Sequence, residues 1–419
     1  MKQLHKRFSD EQIKQFLESY LHKEIKREYL ETLLGIKTRQ FWKLIKKYQQ
    51  SPDAFSLKPS RPKAPRHLDP TIEQNIIKEL RLDQQLISNK DIPLYHYNYS
   101  YIKERLVTQY EQYVSVPTII DRAKKHNLYI KRHKKKKVHD RQVLTCYAGE
   151  LIQHDASIHL FAPAAQTKWW LITSLDDYSR CILYARLVAA QTSHTHIQGL
   201  ETLFLKYGLP YSYYVDSHSI FRFVQHPDSI WRTHRTLTDE VDPQWKQVLN
   251  DCQVKVIYAL SPQAKGKIER PYGWLQDHLV RTCARDNISD IQKGQQVLNR
   301  EVYAYNHKRV HSTTEEIPFQ RFSTALDNKK SLFRAFAIPA PFQSIKDIFC
   351  LRTYRTVDGY RHISLNNLQL AVPKALPGDK INLRIYPLNS LVSELRMWKN
   401  NSLLDVSKIK NTDLKGVHF

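Results

Sequence analysis

Apolar residues recur at helical spacing through the first third of the chain, and in alternating or continuous short runs from about residue 149 onward. Ser9-Asp10-Glu11-Gln12 has the form of a capping box, and Ile13, Phe16, Leu17 and Tyr20 follow on one helical face. A second helix is predicted from Lys26 to Leu34, stopped by Gly35, the residue that best accepts a left-handed turn. Thr38 is expected to cap a third helix over 38–48. Phe41, Leu44, Ile45 and Tyr48 mark its inner face, and Arg39, Gln40, Lys43 and Lys47 its outer one. Helix, glycine turn and basic helix fit a helix-turn-helix unit with 38–48 as recognition helix. An ordinary three-helix bundle with a solvated basic face fits the same pattern equally well.

Residues 51–70 carry five prolines interleaved with Lys58, Arg61, Lys63 and Arg66. Proline stiffens such a segment into an extended linker, and the cations suit a phosphate backbone or a narrow minor groove. Asp69-Pro70 opens another helix with Ile72, Ile76, Ile77 and Leu80 as its stripe; further helices are expected near 100–110 and 117–126. Together they suggest a second helix-turn-helix unit displaying Arg122, Lys124 and Lys125. The basic run 131–137 leads into the next part of the chain.

From 149 the pattern turns to strands. Glu150–Ser157, Lys168–Leu175 and Cys181–Val188 are predicted strands, the last two joined by a hairpin turn at Asp176-Asp177-Tyr178-Ser179-Arg180. A helix over 193–207 ends at Gly208; strands follow at Tyr211–Val215 and Lys255–Tyr258, and a helix begins near 268. This is the element order of a ribonuclease-H-like α/β core with a mixed five-stranded sheet. The tail, 349–405, alternates apolar and polar residues around turns at Asp358-Gly359, Pro377-Gly378-Asp379 and Asn400-Asn401, which suggests a small five-stranded β-barrel. The resulting division is a helix-turn-helix domain at 1–50, a linker at 51–70, a second such domain at 71–130 and a basic linker at 131–144. The core then occupies 145–322, a linker 323–348, and the barrel with its tail 349–419.

Charge adds the first functional clue. Net charge is +24, but residues 1–142 carry +15, residues 143–322 only +1, and 323–419 carry +8. A nearly neutral centre between basic flanks suggests a catalytic core carried by polyanion-binding arms. The five cysteines are scattered without a C-x-x-C pair, which fits a reduced compartment with buried thiols; none precedes Cys146, so an N-terminal Cys-containing zinc module is excluded. No apolar run reaches membrane-spanning length and no signal peptide pattern opens the chain, so the expected location is cytoplasmic, on chromosomal DNA.

Three carboxylates stand out in this frame: Asp155 on the first core strand, Asp216 at the end of the fourth, and Glu269 in the helix after the fifth. Phosphodiester cleavage and transfer need an activated oxygen nucleophile and a stabilised leaving oxygen. Two Mg²⁺ ions supply both, and hard divalent ions prefer carboxylate oxygens; Mn²⁺ is expected to substitute. Asp176 and Asp177 are also paired carboxylates, but turn chemistry explains them. Lys265 and Lys267 lie beside Glu269 and are candidates for DNA contact, whereas His154 and His218 lack ligand spacing and read as packing residues.

The motifs Gln153-His154-Asp155-Ala156-Ser157, Val215-Asp216-Ser217-His218-Ser219-Ile220-Phe221 and Ser261-Pro262-Gln263-Ala264-Lys265-Gly266-Lys267-Ile268-Glu269-Arg270 resemble those of DDE-type insertion-sequence transposases with a retroviral-integrase-like core. Tyr305-Asn306, Arg309, His311 and Pro318 match the family's closing segment. The resemblance implies binding to double-stranded DNA at terminal inverted repeats, 3′-end cleavage, strand transfer into target DNA, and at least a dimer in the synaptic complex. A catalytically inactive DNA-binding regulator derived from such an element is the alternative. Two features depart from the pattern. Asp216 and Glu269 are separated by 52 residues, read as an insertion around 221–245. Pro271 should hold Glu269 to the first turn of its helix.

Overall fold

The computed structural model describes residues 4, 7–53, 55–57, 68–130, 145–216, 220–221, 243–259, 266–366 and 368–414, leaving out the side chains of 266, 267, 269 and 270. The chain divides into two compact units, Met1–Pro70 and Thr71–Phe419.

The first unit holds α1 (Asp10–Leu21), α2 (Arg27–Leu34) and α3 (Thr38–Gln50). Ser9 and Gln12 close the expected capping box, and Gly35 ends α2 with φ +65°. Thr38 is not a cap: Lys37 takes that position without a side-chain bond, and the Thr38 hydroxyl donates to Glu31 instead. Ile13, Leu17, Leu30, Leu34, Phe41 and Ile45 meet in one core.

The second unit begins with α4 (Pro70–Ser88), α5 (Tyr99–Tyr110) and α6 (Val116–Lys125). Five strands follow: β1 (Ile152–His159), β2 (Trp169–Asp176), β3 (Ile182–Val188), β4 (Ser212–Val215) and β5 (Lys255–Tyr258). They form one sheet in the order β3-β2-β1-β4-β5, with β1–β3 antiparallel and β1, β4 and β5 parallel. This is the mixed five-stranded sheet expected of an integrase-like core. One face, through Ile152, Tyr213 and Val215, packs on α7 (Ser193–Tyr207) and α8 (Gln244–Asp251). The other, through Leu171 and Leu175, packs on α9 (Gly266–Arg285) and α10 (Ile291–Lys308). A Cβ on Gly294 of α10 would stand 2.6 Å from the Trp169 ring, so this close approach requires glycine. Asn306 then pairs with both backbone groups of Ile182 at 2.9 Å each, satisfying part of the exposed edge of β3. That contact gives the Tyr305-Asn306 motif a structural purpose. After α11 (Pro318–Asp327) the chain reaches the tail.

The tail is not the predicted five-stranded barrel. Its six strands are β6 (Leu351–Thr356), β7 (His362–Leu365), β8 (Leu368–Ala371), β9 (Lys380–Pro387), β10 (Val392–Lys399) and β11 (Ser402–Lys410). They split into a four-stranded sheet, β11-β10-β9-β6, and a separate β7-β8 ribbon. The split follows from pairing: β6 takes β9 as its partner over six residues, while β7 pairs with β8 alone. The sheet is fixed to the core through α8, where Gln244 bonds both backbone groups of Arg352 and the Arg352 guanidinium reaches Asp251 at 2.6 Å. Arg396 and Trp398 converge on buried Asp347. Much of the tail's positive charge is therefore spent internally: Arg352, Arg384 and Arg396 are all buried.

Four cysteines are buried as expected, but Cys146 is exposed. No helix among the described residues is long and apolar enough to cross a membrane.

Candidate functional site

The strand that holds Asp155 and the strand that Asp216 follows are neighbours in the sheet. Ile152 and Gln153 of β1 pair in parallel with Tyr213 and Tyr214 of β4. Asp155 lies two residues further along β1, and Asp216 directly follows the last residue of β4. Because side chains alternate, Gln153, Asp155 and Tyr214 share one face, and Thr173, directly opposite Asp155 on β2, shares it too. That face is the one α9 covers. Asp155, on β1, and Asp216, directly after β4, are both half-buried.

Two hydrogen bonds seat α9 over these strands. The Thr173 hydroxyl donates to the Tyr272 hydroxyl at 2.7 Å, and Gln276 Nε2 donates to Ser157 Oγ at 2.8 Å. Ile268, Leu275 and Leu279 bury the rest of the contact. Burial drives the Tyr272 pKa well above its ordinary value, and the negative charges of Asp155 and Asp216 push it further in the same direction. Glu269 stands three residues earlier in the same helix.

The helix begins at Gly266, two residues before the position expected from Pro271, which lies inside it. Glu269 remains the fourth helical residue. The proline removes the N–H that would meet the carbonyl four residues back, and its ring crowds that carbonyl. Among the described residues, no group of three His, Cys, Asp and Glu side chains forms a metal centre. The Glu269 and Lys267 side chains fall outside that set, as do Lys265, His218, residues 222–242 of the expected insertion, Arg61, Lys63 and the basic run 131–137.

Asp176 and Asp177 are scaffold, as the turn reading held. Asp176 accepts from the Gly149 and Ser179 backbone amides and from the Ser179 hydroxyl, and burial raises its pKa to about 6 despite these bonds. Asp177 binds Thr145, Gln153 and Arg180. His154 packs as expected: its ring bonds Ser174 and His196 at 2.8 Å each and stacks on Trp245.

The candidate DNA-binding side chains fare unevenly. Arg39, Gln40 and Lys43 are exposed along α3, whereas Lys47 donates to the Ser56 carbonyl. Trp42, absent from the sequence-based set, stands 47% exposed beside Lys43, with ring edges on Tyr20 and Phe41. Its indole breaks the polar face that the helical pattern assigns there. On α6, Arg122 and Lys125 both pair with Glu73, and Lys124 lies over the Tyr129 ring. Their net field is weaker than three free cations would give.

No protein-family model matches the chain. A putative transposase of Sinorhizobium fredii is 25% identical over 281 residues, covering 66% of this chain and 56% of that protein. The transposase for insertion sequence IS1202 of Streptococcus pneumoniae is 26% identical over 233 residues, covering 55% of this chain and 44% of that protein. The chain thus spans about half the length of these relatives. Among solved structures, the HTLV-2 integrase catalytic core with magnesium aligns over 42% of the chain with 15% identity and a TM-score of 0.30. A chain of the simian T-cell lymphotropic virus intasome in complex with PP2A regulatory subunit B56 gamma aligns over 69% with 14% identity and a TM-score of 0.34.

Proposed function

We propose that this chain, similar in sequence to insertion-sequence transposases, binds transposon ends, cleaves them to expose 3′ hydroxyls and joins those ends to target DNA. The observation that carries this reading is the parallel pairing of β1, which holds Asp155, with β4, which Asp216 directly follows, in a sheet packed against the helix that bears Glu269. Half-buried carboxylates on rigid strands suit hard divalent cations, so the donor chemistry fits Mg²⁺, with Mn²⁺ as substitute. Asp155, Asp216 and Glu269 would hold the ions. When bound, such ions activate the attacking oxygen and stabilise the leaving one. The protein's own part is to fix the carboxylates on strands and helix before DNA arrives, and to present the scissile phosphate through the cationic residues nearby, Lys265 and Lys267 among them.

The full chain should nick duplexes bearing the inverted repeats that flank its own coding region, and join them to a target plasmid, in Mg²⁺. Neither product should form in EDTA. End binding without cleavage in Mg²⁺ would refute the enzyme reading and leave a DNA-binding regulator. Synapsis of two ends calls for at least a dimer on DNA.

For end recognition we assign α3, through Arg39, Gln40 and Lys43 on its exposed face. Arg39→Ala or Lys43→Ala should weaken binding to the terminal repeat by about 1–3 kcal/mol, with non-specific DNA affinity nearly kept. Competition gel shifts and footprints on the repeat measure this. An unchanged footprint in both variants would reject α3 as the recognition helix.

A further inference from the structure

The indole of Trp42 stands on α3 among cations, on a helix face where solvent favours polar side chains. Arg39 lies one turn before it, Lys46 one turn after and Lys43 beside it, and all three are exposed. The helix carries no acidic residue, so nothing on α3 itself offsets their charge. The ring has fixed neighbours: it makes T-shaped contacts with Phe41 at 5.7 Å and with Tyr20 of α1 at 6.4 Å between centroids. Trp42 thus presents an oriented apolar surface, about half exposed, inside a cationic frame. The frame complements a polyanion, and the apolar surface within it calls for an apolar feature on the same partner. In the major groove of duplex DNA that feature is the thymine C5-methyl group; the other groups on the base edges there are hydrogen-bond donors and acceptors.

We propose that Trp42 reads thymine in the transposon end, packing its indole on a C5-methyl group while the cations around it hold α3 in the groove. The inference rests on the assignment of α3 as the recognition helix. Burying one methyl-sized group is worth about fourfold in affinity.

The test pairs the full chain with two duplexes of the terminal repeat, one natural and one with uracil for thymine across the α3 footprint. That exchange removes only methyl groups. Wild type should bind the uracil duplex about fourfold more weakly. Trp42→Ala should bind the natural duplex about fourfold more weakly than wild type and lose nothing further on the exchange. Thermal unfolding is recorded in parallel; should Trp42→Ala fail to fold, Trp42→Gln, which restores a polar side chain to the face, takes its place. Equal affinity of wild type for the two duplexes would overturn the inference. So would an undiminished uracil penalty in the folded variant, which would leave Trp42 a support for Tyr20 and Phe41 alone. In either case α3 stands as the recognition helix if Arg39→Ala and Lys43→Ala weaken end binding. If those two variants bind as wild type does, α3 is rejected and the inference with it.

Discussion

Asparagine in place of Asp155 is expected to slow end cleavage and strand transfer by about a thousandfold or more, with fold and end binding intact. The side chain is half-buried on β1, whose ladders to β2 and β4 are made by backbone groups that the substitution leaves alone. Asparagine has nearly the same shape but no negative charge, so it presents a neutral oxygen where a divalent cation needs an anion. Several kcal/mol of transition-state stabilisation are at stake, and about 4 kcal/mol corresponds to a thousandfold in rate. The contrast is Asp176→Asn: that carboxylate is fully buried and tied to Gly149 and Ser179, so its loss should register in stability, not in metal chemistry. Single-turnover rates on pre-bound end DNA in Mg²⁺, beside thermal melts, separate the two. Equal rates in wild type and Asp155→Asn would sink the assignment.

Much of this arrangement was readable from residue pattern because it rests on local rules. The Ser9 capping box, the glycine stop after α2 and the span of α7 follow from neighbours in sequence, and the strand order follows from the alternation of elements. The places of Asp155 within a strand and of Asp216 at the edge of one were legible for the same reason. The bond between Tyr272 and Thr173 was not, since a tyrosine two residues past the motif reads as core. Strand alternation also gave the tail's turns without saying which strands pair, so an open sheet and a ribbon were read as a barrel. Charge counting does not show which cations are paired: Arg352 and Arg396 are both buried against carboxylates.

The least legible feature carries the largest expected effect on stability. Arg281→Ala should destabilise the second unit by about 3–5 kcal/mol, because it strips one partner from a buried ion-pair network. Arg281, near the far end of α9 from Glu269, binds Asp83 of α4 at 2.6 Å, holds Asp277 through two bonds of 2.9 Å, and reaches the His96 carbonyl. Arg285 adds Glu79 and Asp83, while Tyr101 meets Thr282 at 2.9 Å. Nothing in a helical pattern marks Arg281 as buried, since its partner stands 198 residues away. With Arg281 gone, Asp83, fully buried, keeps only Arg285 against a desolvation that already raises its pKa. The sign follows from linkage. A carboxyl whose pKa rises on folding takes up a proton more readily in the folded state, so the folded state gains as pH falls toward the ordinary carboxylate range. The variant's deficit should therefore be greatest near pH 7 and shrink on acidification toward pH 5. Arg281→Met combined with Asp83→Leu should recover most of the loss, since an apolar pair of similar volume avoids burying any charge. Urea unfolding at both pH values reads the free energies, and amide exchange in α4 and α5 shows whether these helices loosen from α9. A loss below about 1 kcal/mol at pH 7, the range of solvent-exposed pairs, would mean that solvent screens this network and that it does not clamp the helical segment to α9.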